Sequence, residues 1–292
     1  MKEFARFLLI LAALPAVARS LPAADPSAKL PFKLYGGYTI VARGSIAGLN
    51  HLNFIIDTGA VPSVVDRKVA RKLGLQGQVE PLSLFSQTIE TRRVTLPGLV
   101  LGPIDTGPLP VIVGDLASFE SHLGVRVDGM IGLDVLARRD FVVDYDSGTI
   151  AFGTVPGNGP EPLGLAEASV PLDLGPGYAV VSLDVEGQPV RLMVDTGARS
   201  LILFAPRVRG RLAGIRTLGE RVIGNVGGTF ALTEVVLPYA TLGTMRLDAQ
   251  KAALMEGQAP ASVDIDGLLG VRSLGVRRLG FDFQHKTLTW AR

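Results

Sequence analysis

The chain has 292 residues, 47% of them hydrophobic and 19% charged, with a formal net charge of +2. That composition is enough for a buried core and excludes a wholly disordered chain, and the small, scattered basic excess gives no reason to expect nucleic acid as a partner. With no cysteine, and with His51, His122 and His285 at no ligand spacing, disulfides, thiolate nucleophiles and a recognisable metal centre are excluded, and neither metal nor cofactor is expected.

In chain order, "MKEFARFLLILAALPAVARS" sets Lys2 and Arg6 ahead of an apolar run from Phe7 to Val17 and offers Ala16-Val17-Ala18 as a small-x-small cleavage site. It predicts a signal peptide over 1–18 and a secreted or periplasmic protein. The run is shorter than the roughly 20 apolar residues of a membrane span and is interrupted by Pro15, so no stable membrane insertion is expected after cleavage. Residues 19–34 read as an N-terminal extension, 35–155 as a first lobe, 156–168 as a linker rich in proline and glycine, and 169–292 as a second lobe. Within the lobes, short alternating runs such as "YTIVARGSI" and "YAVVSLDVEGQPVRLMVD", punctuated by turn residues, predict an all-β fold. Short helices interrupt it: "DRKVARKLG" (66–74), with Asp66 as N-cap and Gly74 at its stop, and "LDVLARR" (133–139).

Two lobes are indicated because the chain repeats itself. "IIDTGA" at 55–60 returns as "MVDTGA" at 193–198, and "DGMIGLDVL" at 128–136 as "DGLLGVRSL" at 266–274; both shifts are 138 residues (195 − 57 and 266 − 128). Hydrolysis by carboxylates needs two acids close enough to share a proton, and the repeat supplies them as Asp57 and Asp195. Like charges roughly 3 Å apart repel by about 5 kcal/mol at an effective dielectric near 20, so such a pair holds one proton over a working pH range. Thr58 and Thr196 are expected to hydrogen-bond across to the opposite loop, and Gly59 and Gly197 to permit a tight turn and a close approach of backbone to water or substrate. A third Asp-Thr-Gly, "PIDTGPLP" at 103–110, serves as a control. From Asp57 and Asp195 a step of 75 residues reaches Gly132 and Gly270, whereas from Asp105 it reaches Val180. Asp105 therefore reads as a turn residue.

"FIIDTGA" with "DGMIGLDVL", and "LMVDTGA" with "DGLLGV", resemble the retropepsin-like aspartyl proteases over roughly residues 35–292. The resemblance implies two β-barrel lobes in one chain with an active-site cleft between them. It implies catalysis by Asp57 and Asp195, with loops supported by Thr58, Gly59, Ala60, Thr196, Gly197, Ala198, Gly132 and Gly270. It also implies a hairpin flap, for which "VIGNVGGTFAL" (222–232) with Asn225, Gly227 and Gly228 is the candidate; the corresponding "LFSQTIETRRV" (84–94) lacks glycine, so one principal flap from lobe 2 is expected. Arg272 stands where lobe 1 has Asp134 and is given no catalytic role, and Asp144 and Asp282 are read as structural. The function expected is an aspartic-type endopeptidase acting on a peptide or protein substrate as a monomer. The alternative is a non-catalytic protein binding peptides or envelope components on the same fold. A glycosidase would also use two carboxylates, but it gives no account of the duplicated Asp-Thr-Gly-Ala turns.

Overall fold

Strands dominate the architecture, as the alternating runs require. The computed structural model describes residues 29–83, 88–153, 168–175, 177–225, 228–256 and 263–292. The expected signal peptide and nearly all of the expected linker lie outside those residues. The extension is shorter than expected: Lys29–Tyr35 is a strand whose first half pairs with Thr149–Phe152 and whose second half pairs with Thr39–Ile46. Lobe 1 thus includes residues 29–34. At the other boundary, Ala168 already belongs to the strand Ala168–Pro171.

Lobe 2 is a closed six-stranded barrel. Tyr178–Val185, Gln188–Asp195, Gly267–Gly270, Leu201–Phe204, Met245–Met255 and Gly228–Leu242 follow one another by hydrogen bonding, and the last returns to the first through Asp184↔Thr241 and Val185↔Ala240. Lobe 1 has the same order, but the strand that closes it is broken. Thr88–Leu96 stops at Pro97-Gly98, and Leu99–Leu101 resumes it to pair with Thr39–Ile46. Proline cannot donate to a ladder, so a break is natural there. Asp105 falls in this interrupted hairpin, where its exposed carboxylate accepts from the Gly107 N–H at 3.2 Å.

The lobes join through a shared sheet of Ala168–Pro171, Thr287–Ala291, Arg278–Asp282, Phe141–Asp144, Thr149–Phe152 and the start of Lys29–Tyr35. At its centre Phe141–Asp144 and Arg278–Asp282 pair antiparallel with Val142 opposite Gly280. Since 280 − 142 = 138, a residue faces its own repeat there, and the pseudo-two-fold axis passes through that pair. Phe141 and Phe281 stack at 4.6 Å across it, within a core continuous from one lobe to the other. Asp144, read as structural, pairs with Arg278 at 2.9 Å, and Asp282 with His285 at 2.8 Å.

Both expected helices are present. Asp66 caps Arg67–Lys72 by accepting from the Lys68 N–H at 2.8 Å, and Leu133–Leu136 follows Gly132. A further helix, Ala117–Leu123, has apolar Leu116 at its N-cap and no fully buried residue, its Phe119 and Leu123 being half-buried, so both signals that mark a helix in sequence are weak there.

Candidate active site

Each repeat delivers its aspartate by the same route. Leu49–Ile56 runs parallel to Gly129–Ile131, which in turn lies antiparallel to Val64–Asp66. Gly129–Ile131 therefore threads between the two legs of the loop that carries Asp57, and the Asp57 N–H donates to the Ile131 carbonyl at 3.0 Å. In lobe 2, Gly267–Gly270 passes likewise between Gln188–Asp195 and Leu201–Phe204, with Asp195 opposite Gly270. The equal 75-residue steps are thus a strand register. A Cβ at Gly132 would lie 2.0 Å from the Ala60 carbonyl oxygen, and one at Gly270 2.6 Å from that of Ala198. No side chain fits beneath either loop.

The two loops meet on the pseudo-two-fold axis. The Thr58 hydroxyl donates to the Val194 carbonyl at 2.8 Å and accepts from the Thr196 N–H at 3.1 Å; the Thr196 hydroxyl donates to the Ile56 carbonyl at 3.0 Å and accepts from the Thr58 N–H at 3.0 Å. Both threonines are buried. The expected cross-loop bonding takes this form: four reciprocal bonds, each joining one loop to the opposite strand or turn.

Above them the carboxyls of Asp57 and Asp195 face each other, near enough for each to shift the other's titration. The glycines have a sharper reason than closeness to water. A Cβ at Gly59 would sit 2.6 Å from the Asp195 carboxyl carbon, and one at Gly197 2.6 Å from an Asp57 oxygen. Each glycine is the floor on which the opposite carboxyl rests. Asp57 Oδ1 accepts from the Gly59 N–H at 2.8 Å, and Asp195 Oδ1 from both Gly197 and Ala198 N–H at 2.8 Å. Burial holds the Asp195 carboxyl well above the usual carboxylate range, and the Asp57 charge adds to the rise. Burial also raises Asp57, against hydrogen bonds from Gly59, Asp195 and Gly197. The donors partly offset desolvation without cancelling it.

Several supporting residues escaped the sequence reading. Ser63 braces loop 1: its hydroxyl donates to Asp134 Oδ1 at 2.7 Å and accepts from the Gly132 N–H at 2.9 Å, while its own N–H donates to Asp134 Oδ2 at 3.0 Å. Arg272, at the Asp134 position of lobe 2, does something different. Its guanidinium lies over the Tyr145 ring at 4.6 Å from the centroid and donates to the Gly37 carbonyl at 3.3 Å, tying lobe 2 to lobe 1. The unlike pair at one repeat position was the only sequence signal for either role. Asp128 and Asp266, which open the two Asp-Gly segments, are buried and accept from the Asn53 and Arg191 N–H at 2.9 and 3.0 Å.

The candidate flap is a hairpin of Arg216–Asn225 and Gly228–Leu242, with Asn225 opposite Gly228 as its last rung; Gly227 lies outside the described residues. Its first arm packs against the helix Ala117–Leu123 of lobe 1, so it spans the cleft. Lobe 1 has a shorter hairpin at the same place, Gln78–Ser83 with Thr88–Leu96. Among the described residues no group of side chains has a metal-ligand arrangement. A family model described as Aspartyl protease matches the chain twice, over residues 42–135 and 181–272. No curated protein matches it.

Proposed function

Because the chain belongs to the aspartyl protease family, we propose that it is a single-chain aspartic endopeptidase in which Asp57 and Asp195 activate one water for direct attack on a peptide carbonyl. The observation that carries this reading is the face-to-face carboxyl pair, each member resting on the glycine of the opposite loop. One carboxylate accepts a proton from water as general base. Its protonated partner hydrogen-bonds the carbonyl oxygen as negative charge builds there, and a proton then passes to the leaving amine. No covalent intermediate is required. The shared proton belongs to the pair, because burial raises both carboxyls and the titration of one is coupled to the other.

The N-terminal sequence supports export to the periplasm or the medium, and both halves of the site within one chain support action as a monomer on a peptide or protein. Among the described residues no helix is long and apolar enough to cross a membrane. The test is digestion of a peptide library by the mature protein, with Asp57→Asn and Asp195→Asn as controls. Each substitution should lower hydrolysis by a thousandfold or more while circular dichroism stays unchanged. Wild-type rates in either mutant would defeat the shared-site mechanism, and no cleavage by the wild type would favour the binding protein.

A further inference from the structure

The pseudo-symmetry of the cleft fails at one position beside the paired carboxyls. Residue 61, just past the lobe 1 loop, is Val61; its repeat is Arg199 (199 − 61 = 138). Val61 is 41% exposed and packs against Gly177 of lobe 2, where an added Cβ would lie 2.5 Å from its Cγ1. Arg199 is exposed and has no hydrogen-bond or ion-pair partner among the described residues. One flank of the cleft is therefore apolar and the other cationic.

A second arginine strengthens the cationic flank. Arg221, on the flap arm Arg216–Asn225, reaches down so that one terminal nitrogen donates to the Ser200 hydroxyl at 2.6 Å, in the loop leaving Asp195. Its side chain is only 20% exposed, and its buried Nε–H has no hydrogen-bond partner among the described residues. Glu234, on the neighbouring strand, lies 3.4 Å from that Nε without making the bond, and is itself 45% exposed. Burial and the charge of Arg199 press the Arg221 guanidinium below its ordinary range, while Glu234 and the Tyr38 phenol from lobe 1 favour its charge. A half-buried guanidinium that its ion-pair partner Glu234 leaves without an Nε–H hydrogen bond, beside the unpaired guanidinium of Arg199, has capacity for a further carboxylate.

We propose that Arg221 is a specificity-determining residue which receives an Asp or Glu side-chain carboxylate of the bound peptide, with Arg199 as the second cationic wall. This rests on the endopeptidase reading and deepens it. The scissile bond lies over the axis between the lobes, so the two flanks receive residues on its opposite sides. The preferred substrate carries an acidic residue within a few positions on one side and an apolar residue on the other. Glu234 is the resident competitor that the substrate carboxylate displaces.

The experiment uses peptides blocked at both ends, in pairs differing only as Asp/Asn or Glu/Gln near the cleavage site found in the library. The acidic member should show a kcat/KM roughly tenfold or more higher. Arg221→Gln should bring that ratio to about one, and Glu234→Gln, which leaves the arginine in place, should raise it. Equal rates for acid and amide in the wild type, or a ratio unmoved by both variants, overturns the proposal. If no peptide is cleaved, fluorescence anisotropy of the same labelled pairs on the Asp195→Asn protein decides the subsite alone. Acid-selective binding that is lost with Arg221→Gln upholds it while the endopeptidase reading falls, and binding without acid selectivity sinks it.

Discussion

At the scale of single residues, the site depends on what Gly59 and Gly197 leave out. Only the absence of Cβ lets the opposite carboxyl rest on each turn. Gly197→Ala would place a methyl 2.6 Å from the Asp57 carboxyl oxygen, and Asp57 is held by its bond from Gly59, so the pair must separate. We expect kcat/KM to fall by about a hundredfold or more, the scale seen when reacting groups are misplaced by about 1 Å, with binding of an uncleaved peptide much less affected; unchanged turnover would refute this role. The buried acids also set a pH dependence. Both have pKa values raised by folding, so their contribution to stability is fully present below the unfolded value near 3.9 and is lost as pH rises through the folded values. Asp195→Asn removes that loss, so the mutant should melt roughly 2 to 6 °C above the wild type at pH 7, with the difference shrinking toward pH 4. Activity should fall on the alkaline side when the pair gives up its shared proton, at a pH above the usual carboxylate range. Matched melting curves at pH 7 would contradict the assignment. Asp57 and Asp195 were legible because a repeat marks them, whereas the packing reason for the glycines lies between residues 138 apart and leaves no local trace.

At the scale of elements, two loops become one unit through Thr58 and Thr196. Each buried hydroxyl satisfies an N–H and a carbonyl of the opposite lobe, so replacing either strands two backbone groups away from water. Thr196→Val, close in shape, should cost about 2 to 4 kcal/mol in urea unfolding, since a buried orphaned group costs roughly 1 to 3 kcal/mol. Thr196→Ser, which keeps the hydroxyl, should cost about 1 kcal/mol or less by the same reasoning, and equal losses in the two variants would show that packing and not bonding holds the loops. The helix beginning after Asp66 was readable because its cap lies next to it in sequence. By contrast, the helix Ala117–Leu123 has apolar Leu116 at its N-cap and sets only the half-buried Phe119 and Leu123 against the core, and the flap arm finds it only in three dimensions. Lobe 1 also has its own hairpin beside the cleft, although its sequence lacks glycine. Strand pairing builds a hairpin whether or not its turn advertises itself.

At the scale of the whole molecule, the repeat does more than bring two acids into one chain. It creates a sheet that neither lobe can complete, because Phe141–Asp144 and Arg278–Asp282 are each other's inner neighbours. The stacked Phe141 and Phe281 are fully buried there, and Tyr145 and Phe283 donate their backbone N–H groups to Arg277 and Asp140 of the other lobe at 2.9 and 2.8 Å. Separation would expose this apolar seam together with an unpaired strand edge, an unfavourable state for either half. The covalent connection should therefore be dispensable to assembly, whereas the second lobe should not. Co-expressed as two chains, residues 19–155 and 168–292, the halves should co-purify as a one-to-one complex on size exclusion and cleave the peptides cut by the intact protein. Either half alone has one member of the Asp57/Asp195 pair and half of the threonine bonding, and should be inactive as a monomer. Val142 facing Gly280 also makes the join directional: a symmetric pair of first lobes would set Val142 against Val142, and a pair of second lobes Gly280 against Gly280, so the mixed complex should form in preference to either. Activity from one half as a monomer, or halves that elute apart at micromolar concentration, would show that the shared sheet does not hold the site together.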